Sequence, residues 1–172
     1  TTSEREELTN EIASTCPILV ATGEQFDKIG QFETLARGKH VSIYQPEPMS
    51  LGGITNTIAV ANIAQANGAW IAPHQSGGPV ATAVCLQLAA AIPNFLIQEH
   101  FDPFNEPWTR DLVTWAPTID METGHIPIPT APGLGLDLNM DVVRAHPYDP
   151  NAYFDTSRKG WEKRLGVREG IA

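Results

Sequence analysis

Positive charge is scarce in this sequence. Eleven Lys and Arg stand against 20 Asp and Glu, for a formal net charge of −9. Such a balance repels phosphate backbones and anionic headgroups, which argues against nucleic acid or a membrane surface as the main partner. Long apolar runs are missing as well: no stretch of about eighteen apolar residues occurs, so no bilayer-spanning helix is expected. The first residues, Thr-Thr-Ser-Glu-Arg-Glu-Glu, are too polar for a secretory leader, and a cytoplasmic location is the expectation. Cysteine is limited to Cys16 and Cys85, without metal-ligand spacing, so free buried thiols are expected. With 172 residues, 42% of them hydrophobic, the chain can bury one core, and its length does not argue for two.

The apolar pattern alternates in type. Ser3 and Glu6 have capping-box spacing, and Leu8 and Ile12 follow on one helical face, predicting an opening helix. A strand is predicted over 17–21, then a helix carrying Phe26, Ile29, Phe32 and Leu35, with Gly38 as its left-handed stop. The next strand covers 41–44. Gly52-Gly53 opens a second helix carrying Ile54, Ile58, Ala61 and Ala64, ending near Asn67-Gly68. A third strand spans 69–72, and the helix after it, about 79–91, is apolar nearly all round and hence expected to be buried. A fourth strand covers 94–97. Four strands alternating with three helices imply parallel β/α units with right-handed crossovers.

Beyond Glu99 the alternation dissolves. Trp108, Leu112, Val113 and Trp115 predict a short packed element, and Ile126-Pro127-Ile128-Pro129 an extended segment at a sheet edge. Met140 to Arg144 predicts a short helix. The polar tail from Asn151 has Trp161 as its expected anchor.

The residues at which the predicted strands stop carry the chemistry: Glu24, Glu47, His74 and Glu99. The carboxyl edge of a parallel sheet is where α/β folds and barrels place ligands, and four consecutive titratable ends there point to a functional cluster. Imidazole is the side chain suited to proton transfer near neutral pH. The other histidines read differently. His40 falls on the opposite edge, His125 and His146 sit in turns, and His100, next to Glu99, stands where it can reach the mouth of the site. Gly77-Gly78 reads equally as an anion-holding amide pair or a tight strand-to-helix turn. A flavodoxin-like module would need a phosphate loop after the first strand, and Gly23-Glu24-Gln25 is not one.

Several motifs carry a resemblance: Ala21-Thr22-Gly23-Glu24, Gln45-Pro46-Glu47 with Gly52-Gly53-Ile54, Ala72-Pro73-His74 with Gly78-Pro79, and Ile92-Pro93-Asn94-Phe95-Leu96-Ile97-Gln98-Glu99. Ile126-Pro127-Ile128-Pro129 and Pro132-Gly133-Leu134-Gly135 continue it. From about Cys16 to Val143 the sequence resembles the C-terminal half of the enolase-superfamily barrel, in the mandelate racemase subgroup, and looks most like acid-sugar dehydratases such as galactonate and gluconate dehydratase. The resemblance implies an α/β fold: the C-terminal half of a TIM-type (β/α)7β barrel, four parallel β/α steps over 1–143, with a C-terminal tail over 144–172.

It also implies roles. Glu24 would be a carboxylate ligand of a catalytic Mg²⁺, His74 the general acid/base, Glu47 the group that orients His74, and Glu99 the group that hydrogen-bonds the substrate carboxylate. Glu47 stands where the family has an aspartate one methylene shorter. The implied activity is dehydration of an acid sugar: loss of the proton next to a carboxylate, then loss of the β-hydroxyl as water. Racemisation or epimerisation is the alternative within the same chemistry. The family's other metal carboxylates belong to the preceding half of the barrel. The expected partners are therefore a hydroxycarboxylate substrate, a second chain or segment supplying that half, and further copies of the complete enzyme. An opening helix with no earlier strand also leaves a non-catalytic fragment or one subunit of a split barrel as alternatives.

Overall fold

In the computed structural model, which describes residues 3–101 and 105–149, helix and strand alternate as expected. The first helix, α1 (Ser3–Thr15), forms where predicted but buries an unexpected face. Glu6, Asn10 and Ala13, spaced i, i+4 and i+7, are buried, whereas Leu8 and Ile12 on the opposite side are 55% and 58% exposed. Glu6 is directed toward the next helix. Its carboxylate accepts a hydrogen bond from Gln31 Nε2 at 2.9 Å. Polar side chains with partners on the next helix make this interface, so hydrophobic periodicity points to the wrong side.

Strands β1 (Ala21–Thr22), β2 (Ile43–Tyr44) and β3 (Trp70–Ile71) form a parallel sheet in that order, Ala21 opposite Ile43 and Ile43 opposite Trp70. The ladders are shorter than the apolar runs that predicted them. β1 is an edge strand, and Ile18 and Leu19 ahead of it are 74% and 67% exposed. The expected fourth strand is reduced to a parallel bridge between Ile71 and Phe95. There the Ile71 amide donates to Asn94 O and the Leu96 amide donates to Ile71 O, each at 2.8 Å. Over 1–99 the described residues thus hold three parallel strands and one parallel bridge rather than four complete β/α steps.

Helices α2 (Ile29–Gly38), α3 (Pro48–Leu51), α4 (Ile54–Ala66) and α5 (Pro79–Ala91) connect and follow the strands. Phe26 lies just ahead of α2, buried edge-on against Phe32 at 5.1 Å, and Phe32 in turn packs on Tyr44. Around these rings sit Leu35, Val41, Leu51, Val60, Ile71 and Ile92, which complete the core. Lys39, not Gly38, takes the left-handed conformation, with φ 62°. Gly38 has a different use: a Cβ there would run into the Asn10 side chain, so glycine lets α1 and α2 approach. In α4 the buried face is Thr57, Val60, Ala61 and Ala64, leaving Ile54 and Ile58 partly in solvent. α5 is buried nearly all round, as expected.

The described residues group into two compact units. One runs to Gln75 and resumes over Val84–Glu99; it contains the sheet, α1 to α4 and most of α5. The other comprises Ser76–Ala83 and the residues from His100 on. In the second unit a 3-10 helix over Pro107–Leu112 leads into buried Val113, which bridges Leu138, and α6 (Met140–Ala145) follows. Trp108 stacks on His146 with ring centroids 3.8 Å apart, a packing role as expected for both. Residues 126–129 pair with no strand among the described residues, since the prolines interrupt the amide donors a ladder needs. Trp161 and the rest of the expected tail anchor lie outside the described residues. No helix among the described residues is long and apolar enough to cross a membrane.

Candidate active site

All four strand-end residues belong to the first unit, and the structure brings them together around His74. Its Nδ1 lies 2.8 Å from Glu47 Oε2, while its Nε2 lies 3.5 Å from Glu24 Oε2 and 3.8 Å from Glu99 Oε2. A carboxylate can only accept, so the short contact puts the proton of the neutral ring on Nδ1 and leaves the Nε2 lone pair facing the other two acids.

Glu47 is held from both sides. Its second oxygen, Oε1, accepts the Met49 amide at 3.0 Å and so caps the N-terminus of α3, with Pro48 in the first helical position. One carboxylate therefore ties the ring of His74 to the first turn of a helix. The contact between Glu47 Oε2 and Nδ1 is short at 2.8 Å. The backbone of His74 is fixed separately, its amide donating to Pro46 O at 3.1 Å.

Glu99 Oε2 accepts the Gln75 amide at 3.1 Å. Beside it, the Gln98 side-chain amide donates to Pro73 O at 3.1 Å and to Glu99 O at 2.7 Å, stapling the end of the fourth segment to the residue before His74. Glu24 occupies a turn closed by the Phe26 amide on Gly23 O. Its side chain is 50% exposed and borders a cavity of about 260 Å³ lined also by Arg5, Thr22, Gln25 and Gln45. Cys85 is fully buried, and burial first, then the charge of Glu47, pushes its thiol up to about 12. It is an inert neighbour of the site rather than a nucleophile.

Among the described residues no group of three His, Cys, Asp or Glu forms a metal site. Glu24 is the hard oxygen donor that Mg²⁺ takes, and its partial exposure leaves it open to a cation. One carboxylate fits a share of such a site and does not complete it.

His40 is exposed, its amide bonded to Asn10 Oδ1; His100, His125 and His146 belong to the second unit. Gly77-Gly78 acts as the turn into α5, with the Thr82 amide on Gly78 O. Gln31, whose side chain holds the residues after Glu24, has no sequence signal, because an isolated amide carries no spacing.

Residues 1–142 match the family model described as enolase C-terminal domain-like. A D-xylonate dehydratase from Haloferax volcanii is 37% identical over 144 residues, covering 83% of this chain and 34% of the relative. A D-galactonate dehydratase from Ralstonia pickettii is 31% identical over 146 residues, covering 82% of this chain and 38% of the relative. Among solved structures, the mandelate racemase/muconate lactonizing enzyme from Jannaschia sp. CCS1 superposes with a TM-score of 0.77 at 33% identity, over 86% of this chain and 36% of that one. The chain thus spans about a third of the length of the curated relatives it matches.

Proposed function

We propose that this chain, which belongs to the enolase superfamily as a C-terminal barrel domain of the mandelate racemase subgroup, is the C-terminal portion of a Mg²⁺-dependent acid-sugar dehydratase. The observation that carries the proposal is the setting of His74, with one ring nitrogen held by Glu47 and the other facing two carboxylates.

The substrate class is a polyhydroxy carboxylic acid, as in the names of the relatives. Dehydration removes the proton on the carbon next to the carboxylate and expels the β-hydroxyl as water. Glu24 would be one ligand of a divalent cation, which would supply electrostatic stabilisation of the charge that develops. His74 moves the proton at Nε2. Glu47 fixes the tautomer that makes this possible and stabilises the imidazolium when the ring is protonated. Glu99, steadied by the Gln75 amide, hydrogen-bonds the substrate carboxylate. The barrel portion is assigned to 1–143 and the tail to 144–172.

The same proposal includes a complement. α1 presents Leu8 and Ile12 outward while burying Glu6 and Asn10, and β1 has an unpaired edge flanked by Ile18 and Leu19. An apolar helix face beside an open strand edge calls for a cover. We assign the cover to a segment or second chain carrying the first half of the barrel and the other metal carboxylates.

The test is turnover of a panel of acid sugars with Mg²⁺ by the complemented enzyme, with product identification. A keto-deoxy acid supports dehydration, whereas an epimer assigns racemase chemistry instead. Unchanged turnover in His74→Asn overturns the site.

A further inference from the structure

The loop that carries Glu24 has no regular structure of its own between β1 and α2, yet it is tied down from a helix that precedes it. Gln31, the third residue of α2, accepts the Asp27 and Lys28 amides on Oε1 at 3.1 and 3.2 Å. These are donors that a helix N-terminus leaves without intrahelical partners. The same side chain donates from Nε2 to Glu6 Oε1 at 2.9 Å. Glu6 is only 1% exposed, and its other oxygen, Oε2, is buried with no hydrogen-bond partner. Burying a carboxylate with one of its oxygens unmet is costly, and the contact it makes is the one that decides which way the Gln31 amide faces. With Glu6 accepting, Nε2 must point to α1 and Oε1 must point to the loop. From the residue before Glu6, Arg5 Nη2 donates to Gln25 Oε1 at 2.8 Å, next in the chain to Glu24.

We infer that Glu6 and Gln31 are positioning residues for Glu24: Glu6 sets the Gln31 amide, and Gln31 holds the 24–28 loop so that Glu24 faces His74 Nε2. This placement holds whichever reaction the site performs, so it stands or falls apart from the proposed activity. Asn10 supplies an internal control. It bridges the same two helices one turn further along α1, donating to Thr34 O and to the backbone oxygen of Glu6 and accepting the His40 amide, and it bonds neither the Glu6 carboxylate nor the loop.

The experiment is amide hydrogen exchange and NMR of the 172-residue chain in three variants. Gln31→Met keeps the length of the side chain and removes both interactions; Glu6→Gln keeps an acceptor facing Gln31; Asn10→Ala weakens the interface elsewhere. In Gln31→Met the Asp27 and Lys28 amides are expected to exchange ~10-fold faster, the loss of a bond worth about one decade. The Glu24 amide and carboxyl resonances are expected to shift. Glu6→Gln should keep wild-type exchange and resonances, and Asn10→Ala should lower Tm while leaving both unchanged. If Gln31→Met does not fold, Gln31→Ala, which removes the same acceptor and the same donor without adding bulk, is read the same way. Glu24 resonances that stay put in the Gln31 variant, or move as far in Asn10→Ala, overturn the inference.

Discussion

At the amino edge of the sheet the buried polar groups are amides. Asn10 joins α1 to α2, and Asn94 Nδ2 donates to both Ala61 O and Ala69 O at 3.1 Å, tying the fourth segment to α4 and to the start of β3. At the carboxyl edge the groups are three carboxylates and an imidazole. Both edges bury polar atoms, and the partners differ. The amides donate to backbone oxygens on two elements at once, so they act as clamps. Glu24 and Glu99 each keep an oxygen without a hydrogen-bond partner among the described residues, which leaves it available to a ligand. Under the proposed function, stability lies at one edge and reactivity at the other, the division that β/α barrels follow generally.

Substitutions should therefore cross: carboxyl-edge changes cost turnover, and amino-edge changes cost stability. The largest effect is expected for His74→Asn, with turnover of the complemented enzyme falling ~1,000-fold or more and Tm of the chain nearly unchanged. Thermal unfolding and kinetics measured together check it. A Tm loss as large as that of an amino-edge variant would collapse the distinction. Next comes Glu47→Gln. The amide oxygen can still cap α3 at Met49, so the loop should hold, but the negative charge facing Nδ1 is gone. A ~10- to 100-fold fall in kcat with little change in KM is expected, the range found when a group that orients a histidine is removed. A raised KM with unchanged kcat would instead make Glu47 a binding group.

The amino edge gives the converse. Asn94→Ala removes two hydrogen bonds from a residue that is 8% exposed and leaves the Ala69 carbonyl short of a donor. About 2 kcal/mol of destabilisation is expected, read as a shift in urea midpoint, with no loss of turnover per folded molecule.

The same contrast explains what the sequence disclosed. Apolar runs and their stops located the strands, and the structure brings the side chains at those stops, Glu24, Glu47, His74 and Glu99, together as their positions implied. Which face of each helix turns inward was less legible. In α1 the row Glu6, Asn10, Ala13 is buried and Leu8, Ile12 is not, because a polar side chain with a partner packs inward as readily as an apolar one, and the partners Gln31 and Thr34 lie on another helix. Strand lengths were overestimated for a related reason. An apolar run reports burial, whereas a ladder needs paired neighbours, and beyond Ala21 and Phe95 those pairs are absent among the described residues. Gly38 signalled a left-handed stop, but its use is the close crossing of α1, which composition alone does not separate from a cap.

The smallest effect expected tests where the reactive list ends. Cys85 lies under the carboxyl edge, close enough to Glu47 and Glu99 to feel their charge, and is the one buried thiol among the described residues. Burial removes the solvent a thiolate needs, and the two carboxylates add repulsion, while the hydrogen bond with Gln98 pulls weakly the other way. With its value pushed up to about 12, the group keeps its proton until pH rises that far, so at pH 8 only ~1 in 10,000 molecules carries the thiolate. Cys16 is only partly buried. A thiol reagent at pH 8 should therefore modify Cys16 in the native chain and reach Cys85 only on unfolding, with the activity of the complemented enzyme unaltered. Rapid labelling of Cys85 in the folded chain would add a fifth reactive group to the carboxyl edge and require a chemistry that the four strand-end residues do not supply.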